Sequence, residues 1–489
     1  MTITDKDLLS IQEARRLVER AYEAQKIWGK ATQEEVDRVC QAMAEAAYAA
    51  SERLGRNAAE ETGFGVPEHK KLKNEFASKH VWESIKDIKT VGVINHDVAR
   101  KIYEIAWPVG VVAGLVPSTN PTSTAINKIL ISVKARNAIV LAPHPFAVKC
   151  TTDTAHLMAA AAEQAGAPAG LINALSKISL QGTQELMGHK RVALILATGG
   201  GPMVRVAHSM GKPAYGVGPG NVPAYVDRSA DLEKAAKYIV SSKAFDFSTI
   251  CATEQAVVAD RPIAARLMQL MQAEGAFFVD EAQAEALRKI LFHPDGEINA
   301  AATGKSPQYL AAMAGFEVPN TARILVARVN KVGHDEPLSR EKLTTALAWY
   351  EVDGWEDGCD ISLSLINFGG RGHSLMIHAQ DEKVIMAFGL EKPVFRIGVN
   401  TMGTLGAIGL TTGVMPSLTL GSGGIGGAIT GDNVNVHHLY NVKRLAYETS
   451  APPEAALRPG SVPAGDVNAD PQLLAKMVEE VVREVLNVQ

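Results

Sequence analysis

The sequence predicts an α/β protein whose parallel sheets are covered by helices on both faces. Short apolar runs recur along the chain, as in Gly110-Val-Val-Ala-Gly-Leu-Val and Val192-Ala-Leu-Ile-Leu-Ala, and segments of helical periodicity follow them. The runs are apolar at successive rather than alternate positions, the pattern of strands buried on both faces. At 489 residues the chain also exceeds one ordinary core, which predicts two or three lobes.

Taken in order, the first eighty or so residues read as helical. Leu17, Ala21, Ala24 and Trp28 recur at helical spacing, as do Val36, Val39, Cys40, Met43, Ala46 and Ala47. Residues 89–95 and 99–106 alternate like two strands, with Asn95-His96-Asp97 between them as a turn. A strand at 110–116 precedes a helix around 125–133, a strand at 138–142 precedes a helix from about 152 to 165, and a strand at 192–197 leads through glycines into a helix near Met203. A second series of strands follows Cys251, at Gln255-Ala-Val-Val-Ala, Ile324-Leu-Val-Ala, Leu375-Met-Ile-His and Val394-Phe-Arg-Ile-Gly-Val. Residues 451–469 are rich in Pro, Ala and Gly and read as a linker. Asp470-Pro471 then offers an N-cap and a first-turn proline. Leu473, Leu474, Met477, Val478, Val481, Val482, Val485 and Leu486 follow on one helical face.

Composition narrows the function classes. Hydrophobic residues make up 46% and charged residues 21%, with a formal net charge of -4. No clustered positive surface is implied, which argues against nucleic acid as a partner. No run approaches the roughly 18 apolar residues of a membrane helix, and Met1-Thr-Ile-Thr-Asp-Lys-Asp has no secretory pattern. The four cysteines, Cys40, Cys150, Cys251 and Cys359, are too far apart for a CxxC metal or redox motif. A cytoplasmic protein with reduced thiols and no metal is the expectation.

Three features could carry chemistry. Cys251, in Phe245-Asp-Phe-Ser-Thr-Ile-Cys-Ala-Thr-Glu-Gln, sits just before an expected buried strand. A thiolate there could attack a carbonyl; the alternative is a buried apolar cysteine. Ala197-Thr-Gly-Gly-Gly-Pro-Met-Val follows a strand and opens a helix, a context that suits a dinucleotide phosphate. A plain strand-to-helix turn is the other reading. Asn120, in Pro117-Ser-Thr-Asn-Pro, could donate to a developing oxyanion or close an Asx turn before the proline.

These stretches, in this order, resemble the CoA-acylating branch of the aldehyde dehydrogenase family. That branch includes microcompartment acetaldehyde and propionaldehyde dehydrogenases, the aldehyde half of bifunctional alcohol/aldehyde dehydrogenases, and acylating succinate-semialdehyde and sulfoacetaldehyde dehydrogenases. The resemblance runs from about Gln33 to Ala446, through Glu61-Thr-Gly-Phe-Gly, Pro117-Ser-Thr-Asn-Pro-Thr-Ser-Thr, Arg136-Asn-Ala-Ile-Val-Leu-Ala-Pro-His-Pro and Ala197-Thr-Gly-Gly. It continues through Gly211-Lys-Pro-Ala-Tyr-Gly-Val-Gly-Pro-Gly-Asn-Val-Pro, Ile250-Cys-Ala-Thr-Glu-Gln, Gly370-Arg-Gly-His and Pro416-Ser-Leu-Thr-Leu-Gly.

The resemblance implies the aldehyde dehydrogenase fold. A Rossmann-like dinucleotide-binding domain would occupy 1–90 and 109–228, with an α/β catalytic domain at 229–428 and β oligomerisation arms at 91–108 and 429–450. The linker at 451–469 and an amphipathic tail helix at 470–489 would follow. It implies Cys251 as nucleophile and Asn120 as oxyanion donor. Thr198 and Gly199 fall at the phosphate-proximal turn of the cofactor site, Gly200 and Gly218 elsewhere in that site, Pro143, His144 and Pro145 on the adenosine side, and Glu341 on the nicotinamide ribose. Thr345 stands where the family carries proline. Arg371 and His373 become candidates for contact with coenzyme A or substrate, each with a structural or surface role as the alternative.

Val217 stands where hydrolytic relatives carry the glutamate that activates water. A thioester without such a base waits for a better nucleophile, here coenzyme A, unless another carboxylate such as Glu254 substitutes. The expected reaction converts a short aldehyde, coenzyme A and NAD, or NADP, into an acyl-CoA. An acylating sulfoacetaldehyde or succinate-semialdehyde dehydrogenase and a hydrolytic enzyme are the alternatives. A homodimer or homotetramer follows by analogy, and the tail resembles peptides that bind microcompartment shell proteins; docking on its own subunit is the other reading.

Overall fold

The N-terminal helices follow from their caps and their buried stripes. In the computed structural model, which describes residues 5–457 and 470–486, the Asp5 carboxylate accepts from the Asp7 and Leu8 amides at 2.9 and 3.0 Å and opens helix Lys6–Trp28. Thr32 and Glu35 form a capping box at the start of Gln33–Ala49. Leu17, Ala21, Ala24 and Trp28 are buried on the first helix, and Val36, Val39, Cys40 and Met43 on the second. The Trp28 indole N–H donates to the Val133 carbonyl at 3.0 Å, fastening the first helix to a buried one.

Two parallel sheets form the body. The first has five strands in the order Ile172–Ala174, Ala138–Pro143, Val111–Val116, Val192–Thr198 and Ala214–Val217. Helix Pro121–Lys134 is buried at every residue and packs on two of these strands and on helix Val148–Gln164. Its Lys128 ammonium donates to the Leu115 and Leu196 carbonyls at 2.5 and 2.8 Å, pinning two neighbouring strands near their ends. Burial pushes Lys128 well below the ordinary lysine range.

The second sheet has seven parallel strands in the order Ala276–Phe278, Ile324–Arg328, Ala346–Val352, Glu254–Asp260, Val222–Val226, Leu375–His378 and Ile397–Val399. The chain passes from the first sheet to the second between Val217 and Val222, earlier than the expected boundary at 228. Two inner strands, Val222–Val226 and Ala346–Val352, escaped the sequence reading. Pro223 weakens the strand signal of the first, because proline cannot donate to a ladder. The structure places Pro223 at a register shift between its strand and Glu254–Asp260, the position a proline tolerates.

Strands Val93–Asp97, Ile102–Pro108 and Tyr440–Ala446 make a separate three-stranded sheet. The expected turn at Asn95-His96-Asp97 is corrected: those residues belong to the first strand, and the turn is Val98–Lys101. Asp97 accepts from the Arg100 amide at 2.9 Å, and Lys101 takes a left-handed φ of 51°. The contacts divide the chain into one unit up to Ile94 with Ile105–Lys443, and a second made of Asn95–Glu104 with the chain from Arg444. In the expected linker, Glu454–Leu457 form one helical turn, and residues 458–469 lie outside the described residues. The tail helix is Pro471–Leu486, with Asp470 Oδ1 accepting from the Gln472 amide at 3.0 Å, the cap expected there.

Ile129 is fully buried on helix Pro121–Lys134. Ile129→Ala should lower the chemical-denaturation midpoint by the equivalent of about 2–5 kcal/mol, against about 1 kcal/mol for Ile129→Val. Equal midpoints for the two variants would show that this helix is not packed as described.

Candidate active site

The first sheet opens at the C-terminal ends of its strands into a cavity of about 680 Å³. Val116, Pro143, Thr198 and Val217, at four strand ends, line it, the place where open parallel sheets form crevices. Cys251 reaches the same cavity from the loop before strand Glu254–Asp260.

That loop is built on an unusual backbone. Asp246, Phe247 and Ser248 have φ of 49°, 50° and 66°. Left-handed non-glycine residues cost about 1–3 kcal/mol each and persist only where the surroundings fix them. Asp246 is fully buried. Its carboxylate accepts from the Val66 amide at 2.7 Å, Lys70 Nζ at 3.1 Å, Thr249 Oγ1 at 2.5 Å, and Lys73 Nζ. Its amide donates to His69 Nδ1 at 2.8 Å. Burial alone would push the Asp246 carboxyl up; Lys70 and Lys73 outweigh it and hold the group below the usual carboxylate range. Burial pushes Lys73 down, and the Asp246 carboxylate paired with it opposes the shift.

Asn120 precedes helix Pro121–Lys134, but its side chain does not cap it. Oδ1 accepts from Lys73 Nζ at 2.5 Å, and Nδ2 donates to the Thr249 carbonyl at 2.9 Å and to Thr119 Oγ1 at 3.2 Å. The side chain is therefore engaged with the residues before Cys251 rather than closing an Asx turn on its own helix.

Cys251 is half-buried, whereas Cys40, Cys150 and Cys359 are buried. Burial pushes its thiol up to about 12, with the nearby Glu341 carboxylate adding to the shift. His373 Nε2 lies 3.2 Å from Cys251 Sγ, and its Nδ1 lies 3.0 Å from Ser374 Oγ. Burial and the Arg396 charge push the imidazole down to about 3, so it is neutral at pH 7 and its Nε2 can accept the thiol proton. Arg396 donates to the His373 carbonyl at 2.8 Å and the Gly421 carbonyl at 2.6 Å, fixing the segment. Glycines allow this approach. Gly372 has φ +76°, and a Cβ there would fall 1.7 Å from the Ser422 carbonyl oxygen; one at Gly220 would fall 2.2 Å from the Cys251 carbonyl oxygen.

The opposite wall suits a dinucleotide. Helix Gly201–Ser209 starts at the cavity, and Gly200 gives it no side-chain cap, so first-turn amides are left for another acceptor. A Cβ at Gly218 would meet nothing within 4 Å, so this wall leaves room for a ligand against the backbone. Thr198, Gly199, Pro143, His144 and Pro145 also line the cavity. Glu341 lines it too, and its Oε1 accepts from the Gly220 amide at 3.0 Å. Burial pushes this carboxyl up to about 7. Thr345, in place of the family proline, donates from Oγ1 to the Lys305 carbonyl at 2.9 Å.

Ten of the twelve residues singled out in the sequence thus share this cavity, and His373 joins them by touching Cys251. Arg371 is exposed and outside the lining. Glu254 is fully buried away from the lining, with Oε1 accepting from the Gly403 amide at 2.7 Å. Sequence reasoning missed Lys70, Lys73, Asp246 and Arg396. The only sequence signal was the spacing of two lysines one helical turn apart, which ordinarily marks a solvated face.

Comparison with known proteins identifies the family. The aldehyde dehydrogenase family model matches residues 2–279. Aldehyde-alcohol dehydrogenase 2 of Entamoeba histolytica is 41% identical over 88% of this chain, and the matched part spans 51% of that relative, about half its length. An acetylating aldehyde dehydrogenase from Geobacillus thermoglucosidasius superimposes with a TM-score of 0.91 at 50% identity, covering 92% of this chain and 100% of the other. A propionaldehyde dehydrogenase from the Clostridium phytofermentans fucose utilisation microcompartment gives 0.82 at 26% identity over 90% and 98%. A half-buried thiol facing a crevice at the strand ends, within a match that covers all of a solved relative, places this chain in the aldehyde dehydrogenase family.

Proposed function

We propose that the chain is a CoA-acylating aldehyde dehydrogenase acting through a thioester on Cys251. The observation that carries this reading is Val217. It is 2% exposed, lines the cavity, and has no proton-accepting atom. The one acidic side chain in the described lining, Glu341, is bonded to the Gly220 amide.

In this reading the Cys251 thiol gives its proton to neutral His373 as sulfur attacks the aldehyde carbon. The carbonyl oxygen becomes negative beside Asn120 Nδ2 and the Cys251 amide. Thr198, Gly199, Gly200 and Gly218 would hold the phosphates of NAD or NADP, Pro143, His144 and Pro145 its adenosine side, and Glu341 its ribose. Bound nicotinamide supplies the hydride acceptor that turns the thiohemiacetal into a thioester. His373 passes the Cys251 proton to water and then takes the proton of the coenzyme A thiol as its sulfur attacks the thioester carbonyl; Cys251 leaves as thiolate and is reprotonated by His373. His373 is placed to manage that proton, and Arg371 is reserved for a coenzyme A phosphate at the rim. A short aldehyde fits a wall rich in apolar side chains.

The sheet of Val93–Asp97, Ile102–Pro108 and Tyr440–Ala446 supports a dimer or dimer of dimers, because a small exposed sheet gains stability from a partner subunit. A shell-directed role for Pro471–Leu486 is supported by exposed Leu473, Met477 and Val478 and by the microcompartment origin of one structural relative. No described helix is long and apolar enough to cross a membrane.

Four measurements test this reading. Cys251→Ala should abolish acyl-CoA formation from acetaldehyde, NAD and coenzyme A, whereas Val217→Glu should release free acid without coenzyme A. Wild-type release of free acid as the main product would replace acylation by hydrolysis. Because the thiol is raised, its thiolate fraction at neutral pH is small and grows about tenfold per pH unit. Alkylation of Cys251 by iodoacetamide in the free enzyme should therefore climb steadily from pH 7 to 10; a rate half-maximal at about pH 8.5 and level by about pH 9.5 would show an ordinary thiol. Deleting residues 455–489 should leave turnover and thermal stability unchanged and end recruitment to co-expressed shells. A loss of several degrees in Tm would show instead that the tail helix is docked on its own subunit.

A further inference from the structure

Lysines are seldom buried, because an ammonium loses its water shell. Lys70 and Lys73, one turn apart on helix Pro67–Glu75, are 2% and 1% exposed and share one carboxylate, Asp246. A single lysine would neutralise that carboxylate, so pairing does not account for both. Their remaining contacts differ. Lys70 Nζ donates to the backbone carbonyl of Thr119 at 3.0 Å. Lys73 Nζ donates to the side-chain oxygen of Asn120 at 2.5 Å, and to Thr249 Oγ1 at 3.3 Å.

An ammonium has three donors and no acceptor. The amide facing it must present its oxygen, since the flipped form would set an NH2 group against NH3+. Nδ2 is thereby fixed on the far side, where it reaches the Thr249 carbonyl two residues before Cys251. A charged donor on the amide oxygen also draws electron density from nitrogen and strengthens Nδ2–H as a donor.

We infer that Lys73 is a positioning residue for the reaction, which holds Asn120 with its Nδ2 toward the carbonyl oxygen added to Cys251 and polarises that amide. The inference rests on the reading of Asn120 and Cys251 given above. Asp246 keeps Lys73 in place before substrate arrives, and Lys70 shares the carboxylate so that it stays neutralised when Lys73 is replaced.

The test is a double-mutant cycle on the full chain, with acetaldehyde, NAD and coenzyme A as the probe. Asn120→Ala should lower kcat about a hundredfold. Lys73→Met should lower kcat about tenfold with KM for aldehyde and NAD nearly unchanged, as for loss of one charge-assisted hydrogen bond. In the Asn120→Ala background, Lys73→Met should cost less than about twofold, because its target is gone. Lys73→Gln, which keeps a neutral donor, should recover part of the loss; it replaces Lys73→Met in the same cycle if the methionine variant does not fold. An equal loss in both backgrounds overturns the inference while leaving the Asn120 assignment standing. Wild-type turnover by Asn120→Ala overturns both.

Discussion

The arrangement around the thiol depends on one buried carboxylate. Asp246 sits at the start of three successive left-handed residues, and its two oxygens accept from the Val66 amide, Thr249, Lys70 and Lys73. Removing one partner of such a buried charged set typically costs about 3–5 kcal/mol, because the remaining charge is left uncompensated. That is the scale needed to hold a backbone that the isolated segment would abandon. The partners come from helix Pro67–Glu75 and from the loop that leads to Cys251, and through Lys70 and Lys73 the set also holds Thr119 and Asn120. Cys251 is therefore set against Asn120 by a polar cluster with directional bonds. Apolar packing alone would tolerate a shift of the loop; a fully satisfied hydrogen-bond network tolerates less.

The same burial sets the electrostatics of the reaction. A thiol held near 12 is almost wholly protonated at pH 7, and a neighbouring imidazole held near 3 is wholly neutral. Neither group is charged in the resting state, which spares the site the desolvation of an ion pair. In the proposed reaction the pair comes into use when sulfur adds to a carbonyl, with Nε2 3.2 Å from Sγ.

Much of the fold was legible because buried parallel strands leave a strong apolar signal. Val111–Val116, Ala138–Pro143, Val192–Thr198 and Glu254–Asp260 were read close to their observed bounds. Val222–Val226 was not, since Pro223 and the glycines before it imitate a loop, and only the register shift reconciles a proline with an inner strand. The hairpin turn was misplaced by three residues because Asn95-His96-Asp97 carries turn-forming side chains, while the residue that ends in a left-handed conformation is Lys101. At the site, Cys251 and Asn120 were legible through their surrounding motifs. Lys70, Lys73 and Asp246 were not: their significance lies in burial against one another across more than 170 residues of chain, and no local pattern records that. His373 was seen as a candidate, but its partner was not, because the glycines that admit it mark close approach without saying to what.

The two sheets contribute opposite edges to the site, and this sets the proposed thiol beside an imidazole and the proposed phosphate positions beside helix N-termini. In the five-stranded sheet the site residues follow their strands: Asn120 after Val111–Val116, Thr198 to Gly200 at the end of Val192–Thr198, and Gly218 after Ala214–Val217. In the seven-stranded sheet they precede them. Glu341, Cys251, Gly220 and His373 lead into Ala346–Val352, Glu254–Asp260, Val222–Val226 and Leu375–His378, four strands adjacent in that order. The first edge offers helix N-termini and their unpaired amides, which suit phosphate. The second offers side chains entering strands, and a sheet carries only a small net dipole. A cysteine at a helix N-terminus gains that field and ionises more readily. Cys251 opens onto a strand, where the Cys251 and Ala252 amides favour its thiolate without offsetting burial, and the adjacent strand of the same edge places His373 Nε2 3.2 Å from its sulfur.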